Sequence, residues 1–336
     1  MYFLTSRKLF KEVYDKWYES YAAKVLKPRT RKNYDYLAQK HVLPALGDTR
    51  LRDFTEELIL SFFEEKQDYS VQYKKLIRTL MSDVMDYAVG KLHYIPQNPF
   101  STMKINFGFE KAKKEEDRYL SKDVIDLFFE EYPVTTAVGL AARIGYWTGL
   151  RVGEVCALTW DNVDFDNRML YVEHALSRDP YGKFQWSYGE PKTESSVAGV
   201  DFGHNLEQLL LEKKQEQEHQ RENGIYYKYT VGKKGWVELA GNEPETLPLI
   251  CTDKFGRFLT PSNLTNCCYR FSKKYNTHVT FHMFRHTHAT YLNEQGVDIK
   301  EIQRRLRHKK ASTTLDVYTH ATQEMRNKTL AIVDAM

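Results

Sequence analysis

Two punctuation marks divide this sequence. Pro96-Gln97-Asn98-Pro99 sets two ring-locked residues in four positions, where no helix can run through. Residues 110–118, Glu-Lys-Ala-Lys-Lys-Glu-Glu-Asp-Arg, follow shortly after and hold one small apolar side chain among nine residues, so they have nothing to bury. A chain of 336 residues is long for one core, given domains of about 100–150 residues. The expected organisation is a domain over 1–105, a linker over 106–119 and a second domain over 120–336.

The first domain reads as helical. Leu9, Val13, Trp17 and Tyr21 recur every fourth residue. Pro28-Arg29-Thr30 starts a second segment with Tyr34, Leu37, His41 and Val42 on one side, Leu58, Leu60, Phe62 and Phe63 mark a third, and Val71–Val89 is a long fourth. A compact four-helix unit is the economical solution.

The second domain mixes periods. Ser121 caps a helix carrying Val124, Ile125, Leu127 and Phe128, and an apolar helix is expected from Val134 to Trp147. Asp166-Asn167, between Val163-Asp164-Phe165 and Met169-Leu170-Tyr171-Val172, is a hairpin signal. Strand-like pieces at 184–186 and 197–202 flank Pro191-Lys192-Thr193, and helical patterns resume at Asn205 and dominate to the end. The fold class is therefore mainly α with a small antiparallel β-sheet.

Charge points toward a polyanion. The net charge of +4 is mild, but residues 1–105 hold 18 Lys and Arg against 13 Asp and Glu, while the remainder is balanced. Lys24–Arg52 is basic, with Arg29, Arg31 and Lys32 together, and Lys300–Lys310 sets Lys300, Arg304, Arg305, Arg307, Lys309 and Lys310 against Glu301 alone. Either run by itself is as well explained as a solvated face. Both together favour nucleic acid, with Arg29, Arg31, Lys32, Arg304, Arg305, Arg307 and Lys309 as candidate DNA contacts. Cys156, Cys251, Cys267 and Cys268 form no C-x-x-C pair and are expected to be reduced and structural. No apolar run reaches membrane-spanning length, and Met1-Tyr2-Phe3-Leu4 is too short for a secretory core, so the cytoplasm is the expected location.

The second basic run abuts an unusual set: His282-Met283-Phe284-Arg285, then Leu306-Arg307-His308, then Tyr318. A helix from 281 would place Phe281, Phe284, Tyr291 and Leu292 on a core-facing stripe, with His282 and Arg285 beside it. Asp298 with Glu301 three residues on caps a second helix, apolar at Ile299, Ile302 and Leu306, that ends at Arg307 and His308. Short helices joined this way can gather two imidazoles, a guanidinium and a phenol, which suits a phosphodiester. A zinc reading of His282, His286, His288 and His320 is disfavoured, because H-E-x-x-H lacks its glutamate here. Upstream, Gly149 permits a sharp break before a helix, and Arg151 at its first turn is well placed for an anion. Taken alone, Arg151 with Glu154 three residues later is more often a helix-surface ion pair.

TGLRVGEVCAL at 148–158, PKT at 191–193, HMFRH at 282–286 and LRHKKASTTLDVYTH at 306–320 closely resemble the tyrosine recombinase (phage integrase) family, and HVLPALGDTRLRDFT at 41–55 resembles its core-binding domain. The resemblance implies a two-domain DNA clamp, a SAM-like helical core-binding domain joined to a catalytic domain. It implies Arg151, Lys192, His282, Arg285, His308 and Tyr318 as the catalytic set. Tyr318 would attack, Arg151, Arg285 and His308 would hold the phosphate oxygens, His282 would relay the proton and Lys192 would protonate the leaving 5′-oxygen, with Glu154 ordering the site. Only position lifts Tyr318 out of 23 tyrosines. A covalent 3′-phosphotyrosine stores the bond energy, so no cofactor and no metal is implied, and the chain has no Walker loop. Residues 321–336 would be a terminal helix docking on a neighbouring protomer, in a homo-tetramer on two duplexes that passes through a Holliday junction. Accessory DNA-bending or directionality proteins are possible partners.

The sequence departs from the family pattern in three places. Arg307 stands where many relatives have Gly, Ala198-Gly199 replaces a frequent basic residue, and the core-binding helices begin almost at Met1, so an arm-site domain is either dispensable or removed. A type IB topoisomerase-like enzyme and a catalytically idle DNA-binding protein are the alternatives. The target site is not legible.

Overall fold

The computed structural model describes residues 7–109, 119–181, 185–190, 198–241, 245–308, 330–331 and 333–334. By packing, the chain separates into two compact units, Met1–Ala112 with Asp179–Lys183, and Lys113–Arg178 with Phe184–Met336.

The N-terminal unit is built from four helices. Helix α1 (Phe10–Trp17) continues through a π-helical turn at Tyr18–Ala22, and α2 (Pro28–Leu37), with Pro28 in its first turn, does the same at Ala38–Val42. Helix α3 (Glu56–Glu64) starts on Thr55, whose hydroxyl accepts from the Leu58 amide, and α4 (Val71–Gly90) starts on Ser70, which accepts from Tyr73. Their apolar faces meet in one core containing Phe10, Val13, Trp17, Leu37, Ile59, Phe62, Ile77, Met81 and Met85. Asn98 explains the Pro-flanked break: its side-chain amide donates to Ser82 and Asp86 on α4 while its carbonyl oxygen receives the Phe100 amide. The segment after the break therefore returns to the core. Phe100 is fully buried, and Phe107 still packs edge-on to Phe63 at 4.9 Å, two residues beyond the expected boundary.

The C-terminal unit opens with α5 (Lys122–Glu131), capped by Ser121, and α6 (Ala137–Thr148), which starts three residues later than the apolar run because Thr136 caps it through the Gly139 amide. A left-handed Gly149 ends α6, and α7 (Val152–Ala157) begins at once. The hairpin signal is realised as β1 (Val163–Asp164) against β2 (Met169–Val172), and β2 pairs β5 (Ala198–Asp201) with Leu170 opposite Val200. Ala175–Arg178 forms β3, which the sequence pattern does not announce, and pairs β4 (Trp186–Gly189). Helix α8 (His204–Asn223) follows. Helices dominate the remainder as expected, with one hairpin the sequence pattern does not announce, Tyr229–Val231 (β6) against Val237–Leu239 (β7). These strands are only three residues long, too short for a period-2 signal to emerge. Helices α9 (Pro261–Tyr275), α10 (Phe281–Glu294) and α11 (Ile299–Leu306) complete the described unit. Its core joins Phe128, Leu140, Ile144, Val155, Leu170, Val200, Leu210, Phe271 and Phe284.

The four cysteines are buried and free of disulfides, as expected. Among the described residues, no helix is long and apolar enough to cross a membrane.

Candidate active site

Two sharp turns and a helix build the site, and each turn has a physical reason. Gly149 has φ of 69°, and a Cβ there would meet Leu306 at 2.8 Å and His288 at 3.0 Å. Only glycine both adopts that conformation cheaply and leaves the room. The turn swings the chain so that Arg151 stands at the N-cap of α7, where Glu154 Oε2 receives the Arg151 backbone amide at 2.8 Å and Oε1 receives its Nη1 at 2.8 Å. The ion pair anticipated from i, i+3 spacing is therefore present. Its partners differ sharply in exposure, however: the Glu154 side chain is 3% exposed and that of Arg151 36%.

Helix α10 brings the second group. Its buried face is wider than the expected stripe, because Met283, Arg285, Thr287, His288, Ala289 and Thr290 join Phe281 and Phe284 in being buried. Tyr291, assigned to the core by its spacing, is instead 53% exposed; α10 is enclosed along its first half and emerges toward its C-terminal end. Arg285 donates through Nη1 to the Gly149 carbonyl and through Nη2 to the Leu306 carbonyl. One guanidinium thus ties both catalytic turns together. His282 is exposed, and its ring lies edge-on to His286 with centroids 4.4 Å apart.

The third group sits at the end of α11. Asp298 caps that helix through the Lys300 amide, and Ile302 and Leu306 are buried as expected, although Ile299 is 37% exposed. Arg307 takes a left-handed conformation, φ 54° and ψ 47°, and turns the chain so that His308 can be reached by the other groups. Burial first, then the charges of Arg285 and Arg151 and the His286 and His282 rings, push the His308 imidazole down to about 4. The Arg285 bonds hold the turn that leads to Arg151 against the turn that leads to His308, and His282 and His286 stand on the same helix as Arg285. At neutral pH His308 is therefore an uncharged imidazole beside the charges of Arg285 and Arg151. Lys192, Tyr318 and Lys309 lie outside the described residues, as does most of the expected terminal helix at 321–336.

The basic run on α11 is narrower as a DNA surface than its composition suggests. Arg305 is turned inward, with Nε donating to His288 Nε2 at 2.9 Å and Nη2 to the carbonyls of Trp147 and Asp201 at 3.1 and 2.9 Å. Arg307 is buried against Glu154. Arg304 is engaged by Glu301 and Asp201 but keeps half of its side chain exposed. In the N-terminal unit Arg29 and Lys32 are exposed on α2, and half-buried Arg31 donates to the Ala23 carbonyl at 3.1 Å. His286, which spacing alone offers only as a zinc ligand, and the His288–Arg305 pair beneath the Gly149 turn are parts of the site that composition does not single out. Among the described residues, no cluster of His, Cys, Asp and Glu could hold a metal ion.

The fold thus places Arg151, Arg285 and His308 at neighbouring turns of the C-terminal unit. Residues 118–325 match the family model of the phage integrase family, and residues 9–66 match that of the phage integrase N-terminal SAM-like domain. The chain belongs to the phage integrase family, and so to the tyrosine recombinases, enzymes of site-specific DNA recombination. It is 25% identical over 272 residues to a XerC-like tyrosine recombinase of Caldanaerobacter subterraneus, covering 78% of this chain and 65% of that relative's length. To the ICEBs1 integrase of Bacillus subtilis it is 26% identical over 317 residues, 88% of this chain and 74% of the relative. In fold it is similar to the Tn1549 transposon integrase in complex with transposon right end DNA, with a TM-score of 0.73 at 20% identity, covering 97% of this chain and all of that one. It is also similar to a lambda integrase tetramer bound to a Holliday junction, with a TM-score of 0.60 at 20% identity, covering 92% and 77%.

Proposed function

We propose that this protein cuts and rejoins duplex DNA at the core sites of a mobile element, with Tyr318 as nucleophile and a covalent 3′-phosphotyrosine as intermediate. The observation that carries the reading is that Arg285 bonds the carbonyls of Gly149 and Leu306 and so brings together the turns that lead to Arg151 and His308. Attack on a phosphodiester passes through a crowded phosphorus centre bearing added negative charge, and fixed donors aimed at it lower the barrier most. The Arg151 guanidinium is partly exposed and could reach a nonbridging oxygen. Arg285, braced by two carbonyls, supplies charge at fixed position.

In the proposed sequence the Tyr318 hydroxyl loses its proton as its oxygen bonds to phosphorus, with His282 as acceptor or relay. Lys192 gives a proton to the departing 5′-oxygen, so the strand end leaves as a hydroxyl. The reverse attack by a 5′-hydroxyl of the partner strand regenerates the phosphodiester and the tyrosine, which requires no external energy source. His308 starts neutral, and an oxyanion arriving between the two arginines would favour its protonated, doubly donating form.

The finer reading includes a homo-tetramer on two duplexes, strand exchange through a Holliday junction and a cytoplasmic setting. The tetrameric lambda integrase on a junction supports the assembly by similarity of fold. A core-site duplex carrying a nick, so that the cleaved fragment diffuses away, tests the chemistry: wild type accumulates a protein–DNA adduct and Tyr318→Phe forms none. An adduct in Tyr318→Phe overturns the assignment of the nucleophile, and binding without any adduct in wild type overturns catalysis. Exchange between two labelled duplexes, rather than relaxation of a supercoiled one, separates recombination from topoisomerase action.

A further inference from the structure

Arg307 occupies a position whose backbone favours glycine, and its side chain is among the most enclosed charges of the protein. It has φ of 54°, is 4% exposed and donates Nη2 to Glu154 Oε2, while its Nε and Nη1 are buried without a hydrogen-bond partner. A non-glycine residue at such φ is strained, and a buried unpaired donor has lost its water without a replacement partner. Stability alone gives no reason for this residue. Nor can it grip a substrate directly, because its donors are enclosed.

The carboxylate it touches is the one that holds Arg151. Glu154 receives the Arg151 amide and Arg307 on Oε2, and the Arg151 guanidinium on Oε1. One negative charge is thus shared between two guanidinium groups. Were Arg151 the carboxylate's sole partner, the two charges would largely cancel, and the positive potential offered to a phosphate would be small. With Arg307 drawing on the same carboxylate from the buried side, the group as a whole keeps a net positive charge, which the exposed edge of Arg151 presents outward.

We propose that Arg307 is a positioning residue that acts through Glu154, holding Arg151 in place and leaving its charge available to the scissile phosphate. This rests on the reading of Arg151 as a phosphate-binding residue. Three consequences follow from charge sharing and not from a merely structural role. Removing Arg307 weakens the chemical step at saturating DNA more than it weakens binding. A lysine there retains most of the effect. Neutralising Glu154 in the same molecule restores part of what was lost, because it removes the charge that Arg151 would otherwise satisfy.

The experiment measures single-turnover cleavage of the nicked core-site duplex at saturating protein, with the dissociation constant measured separately. Arg307→Gly, which also relieves the backbone, is expected to slow cleavage on the order of tenfold to a hundredfold, the scale for a partner one step removed from the reacting centre. The dissociation constant should change only about twofold to threefold, since most phosphate contacts remain. Arg307→Gly with Glu154→Gln should then cleave faster than Arg307→Gly alone. Where Arg307→Gly fails to fold by circular dichroism, Arg307→Met and Arg307→Lys replace it, with lysine expected to outperform methionine. Unchanged cleavage in Arg307→Gly, a loss confined to binding, or no recovery with Glu154→Gln overturns the proposal. Absence of a Tyr318-dependent adduct in the wild type overturns the functional reading instead, so the two failures are distinguishable.

Discussion

Gly149 shows how little room the site has at the level of one residue. Its left-handed φ and the approach of Leu306 and His288 to the place a Cβ would occupy act together, so no side chain satisfies both. Gly149→Ala is expected to cost about 1–2 kcal/mol for the backbone and about 1–3 kcal/mol for overpacking. The denaturation midpoint should fall with unchanged slope, and a variant as stable as wild type would show that the turn relaxes freely. Cleavage should fall as well, because Arg285 holds the Gly149 carbonyl and would be displaced with it. Arg285 itself has two tasks. Its carbonyl contacts hold the turns, and its charge, like that of Arg151, acts on His308, so its replacement would confound folding with chemistry more than that of the partly exposed Arg151.

Helices α10 and α11 are clasped by a neutral histidine, which gives the pairing of these elements a pH dependence. His288 accepts from Arg305 on Nε2 and bonds the Tyr146 backbone, and burial, then Arg305, push its imidazole down to about 3. In the unfolded chain the same group titrates near ~6.5. Above that pH both states are neutral and the contribution to stability is complete. As pH falls toward 3 the unfolded chain takes up a proton that the folded one refuses, and stability drops by up to about 1.4 kcal/mol per pH unit. His288→Gln keeps an acceptor for Arg305 without titrating, so its stability should be flatter by about that slope between pH 4 and 6; parallel curves would refute the clasp. Sequence foretold α5 and α11 well, since Ser121 and Asp298 are caps whose meaning is local, and the ordered set Arg151, His282, Arg285 and His308 is marked by residue type. What it missed is non-local. Tyr291 fits the core period but lies where α10 leaves the protein, β6 and β7 are too short to show alternation, and a run of arginines reads the same whether it faces DNA or, like Arg305 and Arg307, faces inward.

On the scale of the whole chain, the two units have separate cores, one around Trp17, Ile59 and Met81 and the other around Phe128, Ile144 and Phe284. Neither core needs the other's side chains to close, so a fragment of residues 7–109 should fold alone, with Phe107 retained because it packs on Phe63. If both units hold one duplex, joining them turns the second contact into an intramolecular one. The affinity of the joined chain can then exceed that of either part by about 10²–10⁴. The net charge of +4 is too small for a diffuse field to do this, so the gain must come from local cations displacing counterions from phosphates. The logarithm of affinity should fall linearly with that of salt concentration, with a slope near −0.9 per phosphate contacted. The slope for the full chain should approach the sum of the slopes for the two fragments. A full chain that binds no more tightly than residues 7–109, or a response flat in salt, would mean that the C-terminal unit does not grip the DNA backbone, and the site would then lack the substrate its arginines are arranged to receive.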